Sequence, residues 1–158
     1  MSKQLFKNSI FVILLILFAT GIGYSEQAKK IKGPIVITSE KLTADKKTNT
    51  ALFEHSVIAR TSNMTIFADK MLVYSDKDSG DVKRIDASGN VRLIKDTRVI
   101  TSREATYYAD SETVIFTGTP KAVEDNNVIS GEKMTYLINE DRFLIDNSKV
   151  FLQNKVSP

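Results

Sequence analysis

The 158-residue chain has no cysteine, no tryptophan, a single histidine, three prolines and seven glycines. Without cysteine there is no disulfide, no thiolate chemistry and no lipid anchor on a cysteine. In an oxidising compartment such a fold rests on packing alone. The lone His55 cannot assemble the usual zinc ligand sets, and it would leave a triad enzyme with one base. Beside a turn it reads as a solvated residue. No G-x-S-x-G elbow and no phosphate-cradling glycine loop occurs. Asp76, Asp78 and Asp81 crowd together, but SDKDSGDV lacks the glycine position and final Glu of an EF-hand loop and reads as a solvated turn. The carboxylate pairs Glu124–Asp125 and Glu140–Asp141 are neighbours in turns, where they point apart and stay wet. These gaps argue against an enzyme, a metal and a cofactor.

One long apolar run is present, and it stands at the start. MSKQLFKNS carries two lysines and no acid, IFVILLILFA (Ile10 to Ala19) is the apolar centre, and TGIGYS supplies Gly23 and Ser25. That order is the one of a secretory signal, with cleavage expected near Ser25. The run is shorter than the roughly 20 residues of a membrane span, although retention would leave it as an anchor. Cleavage removes Lys3 and Lys7, leaving 20 basic against 19 acidic residues, so the balance falls from +3 to +1. A near-neutral domain lacks the excess that nucleic-acid binding requires. A bacterial periplasm suits such a chain. The expected organisation is a signal at 1–25, a linking segment at 26–32, one domain at 33–154 and a short tail at 155–158.

Beyond residue 33 the pattern is alternating, with polar breaks and no helix-length amphipathic run. Self-comparison yields four copies of one phrase, starting at Ile37 (ITSEKLTA), Ile66 (IFADKMLVY), Ile100 (ITSREATYY) and Ile129 (ISGEKMTYL). Their spacings are 29, 34 and 29 residues. Each copy predicts a strand, a small or acidic pair, and a second strand carrying Leu42, Met71, Ala105 or Met134. Two residues further come Ala44, Val73, Tyr107 and Tyr136, on the same face. Polar turns follow (DKKTNT, SDKDSG, ADSET, NED), then a closing strand anchored by Phe53, Ile85, Phe116 or Ile145. The closing strands end near EHS, ASGN, TGT and DNS, which read as tight turns. A unit of this kind cannot bury its face alone, so units must stack. A parallel β-helix and an antiparallel roll both satisfy that demand; the hairpin-like pairs favour the roll. The inward positions, which include Ile66, Val73, Phe116 and Tyr136, either fill a closed core or line an apolar groove.

The segments GPIVITSEKLTADKKTNTALFEHSVIA, MTIFADKMLVY, REATYYADSETVIFTGTPKAV and ISGEKMTYLINEDRFLID resemble the LptA proteins of the OstA-like family. The likeness extends from about Gly33 to Gln153. It implies an all-β fold, an antiparallel jellyroll shaped as a bent, partly open roll. It also implies a periplasmic protein of lipopolysaccharide transport that holds the acyl chains of lipid A. Such rolls join edge to edge between an LptC-like inner-membrane subunit and an LptD-like outer-membrane subunit. By this resemblance Ile35, Ile37, Tyr107 and Ala109 are lipid contacts, with a further one at Leu93 or Ile94; Ala109 stands where a larger apolar residue is usual. The expected partner edges are Ile35, Val36 and Ile37 on one side and Val150, Phe151 and Leu152 on the other. The chain runs only a few residues past its last strand, so Lys149 to Gln153 is expected to be an open edge for head-to-tail pairing. An LptC-like anchored subunit and a closed β-sandwich of structural or adhesive role are the alternatives.

Overall fold

The structure, a computed structural model, describes residues 34–152; the expected signal, linking segment, Gln153 and terminal tail lie outside them. A short strand, Val36–Thr38 (β1), precedes the hairpin of Lys41–Asp45 (β2) with Thr50–Arg60 (β3). Thr65–Ser75 (β4) and Val82–Lys95 (β5) form the second hairpin, Arg98–Tyr108 (β6) and Thr113–Thr117 (β7) the third. After Lys121–Glu124 (β8) and Asn127–Ser130 (β9) comes the fourth, Lys133–Leu137 (β10) with Arg142–Asp146 (β11), and Lys149–Phe151 (β12) closes the described chain. Every pairing is antiparallel, in one sheet of twelve strands. The fold is the open antiparallel jellyroll that the hairpin pattern favours, and the parallel β-helix is excluded.

The sheet bends at one place in each copy. The segments EHS, ASGN, TGT and DNS contain left-handed residues: His55 and Ser56, Gly89 and Asn90, Gly118 and Thr119, and Asn147. They do not reverse the chain as the turn reading expects. β3 and β5 run straight through theirs, with the register slipping between Glu54 and Val57 and between Ser88 and Val91. An inserted residue leaves the ladder locally unpaired and kinks the strand without ending it. Across from each kink stands the polar member of the small-or-acidic pair. Ser56 Oγ donates to Glu40 at 3.0 Å, Asn90 Nδ2 to Asp69 at 2.8 Å and Asn147 Nδ2 to Glu132 at 2.8 Å. In the third copy Arg103 takes the acid's place, and its amide donates to the carbonyl of Gly118 at 3.3 Å.

The kinks divide the sheet into two leaves. One contains β2, β7, β10 and β11 with the adjoining parts of the long strands; the other contains β1, β8, β9 and β12 with the remainder. Inward residues align in rows across each leaf. The first row reads Leu42, Phe53, Met71, Ala87, Ala105, Phe116, Met134, Ile145. Beside it run Ala44, Ala51, Val73, Ile85, Tyr107, Val114, Tyr136 and Phe143. The facing leaf contributes Ile37, Ala59, Ile66, Leu93, Ile100, Ala122, Ile129 and Val150. Folded face to face, the leaves bury the middle of these rows completely: Leu93, Ile100, Phe116, Met134 and Tyr136 have no exposed surface.

Two sequence expectations change here. Leu42 belongs to its row but is 56% exposed, because β2 is an edge strand with no neighbour beyond it. The residue equivalent to Phe53 and Phe116 in the second copy is Ala87, not Ile85, since the long turn between β4 and β5 places it 21 residues after Ile66 instead of 16. A small residue therefore sits where the other copies place a large one.

Gly89 gives a direct test of the bend. Its φ is +76°, and a Cβ there would collide with the Asp69 carboxylate and approach Asp69 Cβ to 2.9 Å. Gly80 has a similar φ of +78° with nothing within 4 Å. Both Gly→Ala variants incur the left-handed cost of about 1 kcal/mol, and Gly89→Ala should lose about 1–2 kcal/mol more by displacing Asp69 from Asn90. Urea unfolding of the two variants checks this; equal losses would mean that Asp69 does not brace the bend.

Candidate functional site

Between the leaves lies a cavity of about 40 Å³. Its walls come from Ile35, Ala59, Met64, Ile66, Met71, Ile85, Ala87, Ala105, Val114 and Ile138, with Thr61 and Tyr107 as the hydroxyl-bearing side chains. The Thr61 hydroxyl is engaged by the Met64 amide at 3.1 Å, which keeps the wall apolar. The space exists because Ala59, Ala87 and Ala105 occupy inward positions where a strand normally carries a larger residue. Tyr107 forms part of the wall, and burial followed by the negative charge of Glu112 pushes its phenol up to about 12. It is a neutral phenol at any physiological pH.

A second space of about 200 Å³ opens at the C-terminal end, lined by Arg98, Ala122, Glu124, Asn127, Ile129, Phe143, Ile145 and Leu152. The fully buried middle of the rows separates it from the first.

The residues expected to line the interior are distributed unevenly. Ile35, Ile66 and Tyr107 face the central cavity, and Ile37 packs against the core beside them. Val73, Leu93, Phe116 and Tyr136 are enclosed in the packed middle. Ala109 lies in the β6–β7 turn, where its amide donates to the Lys83 carbonyl at 3.0 Å, and it does not reach the cavity. On the expected edges, Val36 is 52% exposed on β1, and Val150, Phe151 and Leu152 are 52%, 65% and 67% exposed at the other end.

Tyr136 has a second role that its position in the repeat does not reveal. Its ring stacks on Phe143 with centroids 4.3 Å apart and planes 8° from parallel. Its hydroxyl donates to Asp141 Oδ1 at 2.6 Å and accepts from Lys95 Nζ at 2.6 Å. The same Asp141 oxygen accepts from Lys95 at 2.7 Å and from Arg98 Nη1 at 3.2 Å. Arg98 also forks onto Glu124, with Nη2 3.0 Å from both carboxylate oxygens. Asp141, expected to be a wet turn residue, is the acceptor at the centre of a five-residue network. The Lys95 hydrogen bond and then that of Tyr136 hold its carboxyl down at about 2, against the effect of burial. Burial alone would lower Lys95, but its bonds to Asp141 and Tyr136 outweigh that and leave it above the ordinary lysine value.

Comparison with known proteins now bears on this site. The family model for the LptA/(LptD N-terminal domain) LPS transport protein matches residues 36–142. The chain belongs to this family. Among solved structures, 21 chains match. One is LptH from Pseudomonas aeruginosa, the LptA-homologous periplasmic component of the lipopolysaccharide transport device. The two superpose with a TM-score of 0.71 at 12% identity, over 79% of this chain and 99% of that one. At this identity the likeness speaks for the fold. No curated protein matches.

For a chain of the LPS transport family, the residues missed by sequence reasoning are the small ones and the polar network. Ala59, Ala87, Val114 and Ile138 line the cavity without being singled out, and alanine recurring at inward strand positions is the signal that marks three walls of the void. Lys95 and Arg98 each lie more than 40 residues from Asp141 along the chain, and no local pattern joins them to it.

Asp141 also yields a pH prediction. Its folded-state value lies below the unfolded one, so its contribution to stability is complete above about pH 4 and is lost as pH falls through 2. A carboxyl-carbon NMR titration should find a midpoint near 2 for Asp141, rising toward the ordinary carboxylate range in Lys95→Met. An unmoved midpoint in the variant would remove Lys95 as the cause.

Proposed function

We propose that this chain binds lipopolysaccharide by the acyl chains of lipid A and hands it across the periplasm toward the outer membrane. The observation that carries the reading is the apolar interior between two leaves, walled by Ile35, Ile66, Met71, Ala87, Ala105 and Tyr107, in a chain of the LPS transport family. Exposing acyl chains to water costs about 0.8 kcal/mol per methylene, so ten methylenes represent about 8 kcal/mol. A protein interior that shelters the chains removes that penalty while the sugars stay hydrated. Such a carrier needs no catalytic group. Among the described residues there is no cluster of three metal-ligating side chains either.

The roll has open edges at both ends: β1 and β2 on one side, β11 and β12 on the other. Their unpaired backbone groups suit strand addition, and exposed Val36, Phe151 and Leu152 would be covered by it. The proposed arrangement is therefore head to tail, with further copies of this chain or with an LptC-like subunit at the inner membrane and an LptD-like subunit at the outer. Binding is about equal in successive copies, so directed movement draws on an energy source outside this chain.

Photocrosslinking in cells tests the reading. A photoreactive residue at Ile66 or Tyr107 should capture lipopolysaccharide, and one at Lys77, in the exposed turn between β4 and β5, should not. Absence of an adduct at both interior positions would reject lipid carriage.

A further inference from the structure

The central cavity, as it stands, is too small for its proposed cargo, and the packed middle cuts it off from the C-terminal space of about 200 Å³. An apolar cavity of about 150 Å³ accommodates a benzene ring, whereas the central cavity measures about 40 Å³. Acyl chains can enter only if the leaves part and the packed middle, with Phe116, Met134 and Tyr136, opens toward the C-terminal space.

The leaves are joined in two ways. Along the bends they are continuous through β3, β4, β5 and β6, so that margin acts as a hinge. At the opposite margin the β5–β6 turn of one leaf meets the β10–β11 turn of the other, and no strand pairing connects them. Side chains alone hold this margin. Among the described residues, ion pairs crossing from leaf to leaf converge on Asp141: Lys95 at 2.7 Å and Arg98 at 3.2 Å. The other ion pairs fall within one leaf. Asp141 is itself 56% exposed, while Lys95 and Arg98 are 13% and 18% exposed, so the turn bearing the acid is the part free to lift away. Lifting it would withdraw Tyr136 and Phe143 together, since their rings are stacked. Phe143 and Arg98 are also walls of the C-terminal space.

We propose that Asp141 is a latch: it holds the β10–β11 turn against the β5–β6 turn and thereby sets how readily the roll opens to exchange lipid. It acts as a positioning residue through Lys95, Arg98 and Tyr136, and the role rests on the reading of the interior as a lipid site. A latch made of hydrogen bonds to one carboxylate oxygen suits repeated opening. Its bonds are charge-assisted, and they re-form without any covalent step.

The absence of cysteine makes the test clean. Thr97→Cys and Asn139→Cys place one thiol on each turn, at exposed positions outside the network. Spin labels there should report a longer and broader distance in Asp141→Asn than with Asp141 intact. Release of fluorescently labelled lipid A should be roughly ten-fold faster in Asp141→Asn, as expected for losing a charge-assisted hydrogen bond. Joining the two thiols with a flexible bis-maleimide should return release in that variant to the unaltered rate or below, and urea unfolding of the unlinked variant separates a parted margin from a general loss of stability, which a cross-link would also offset. Lipid uptake with unchanged label distances, or release that ignores the cross-link, would overturn the latch alone. No uptake by the unaltered protein would overturn the lipid reading and the latch's role in exchange with it, while the label distances would still show whether Asp141 joins the leaves.

Discussion

The structure depends on a backbone constraint: neighbouring residues held in the left-handed region while the strand continues on either side. Left-handed geometry costs most residues about 1 kcal/mol or more, so a strand adopts it only where something fixes it. Here the fixing partner comes from the strand alongside. Glu40, Asp69 and Glu132 each accept a side-chain hydrogen bond from a residue at the neighbouring kink. Without the kinks the inward rows would form one flat apolar face with nothing to cover it. With them, the same sheet supplies both sides of its own core, which is how a chain without disulfides buries so much of its apolar surface.

From that bend comes a gradient along the roll. In β3, β4, β5 and β6 the stretches on either side of the kink are fused into one strand; elsewhere they are separate, as in β1 and β2, β7 and β8, β9 and β10, or β11 and β12. Central rows are covered by a facing leaf and by neighbours on both sides. Outer rows lose one neighbour and finish on the edge strands, in exposed Leu42 at one end and exposed Val150 at the other. The middle supplies cohesion, and the ends are left with unpaired backbone. The alanines that open the cavity lie on the N-terminal side of the packed middle, and the aromatic stack with its polar cap lies on the C-terminal side.

Much of this was legible in the sequence, because a period of two and a period of about 30 residues both leave marks on a single chain. The hairpins and the polar turns follow from those periods, and so does the inward face, including the equivalence of Tyr107 and Tyr136. The periods fit a parallel β-helix equally, and the hairpin-like pairs tip the reading to the antiparallel roll. Two things were not. A kink and a turn draw on the same residue types, Gly, Asn and Ser, so ASGN and DNS read as chain reversals until the pairing on both sides is seen. Side-chain chemistry across the leaves was also hidden. Asp141 and Lys95 meet only because the sheet folds over, and NEDR by itself spells a solvated turn. The interior was half legible: Ile35, Ile66 and Tyr107 reach the cavity, but whether Leu93 or Phe116 faces a void or a neighbour is decided by the size of the opposing residue.

Because each copy contains its own kink and its own bracing partner, curvature is a local property of the unit. The two-leaf arrangement therefore repeats along the roll, while the side chains between the leaves set how full each section is, and length is a separate quantity. With strands about 4.8 Å apart, one more copy would lengthen the roll by about 10 Å and leave its width unchanged. Gene duplication of a unit of 29 to 34 residues therefore alters reach without redesigning the interior.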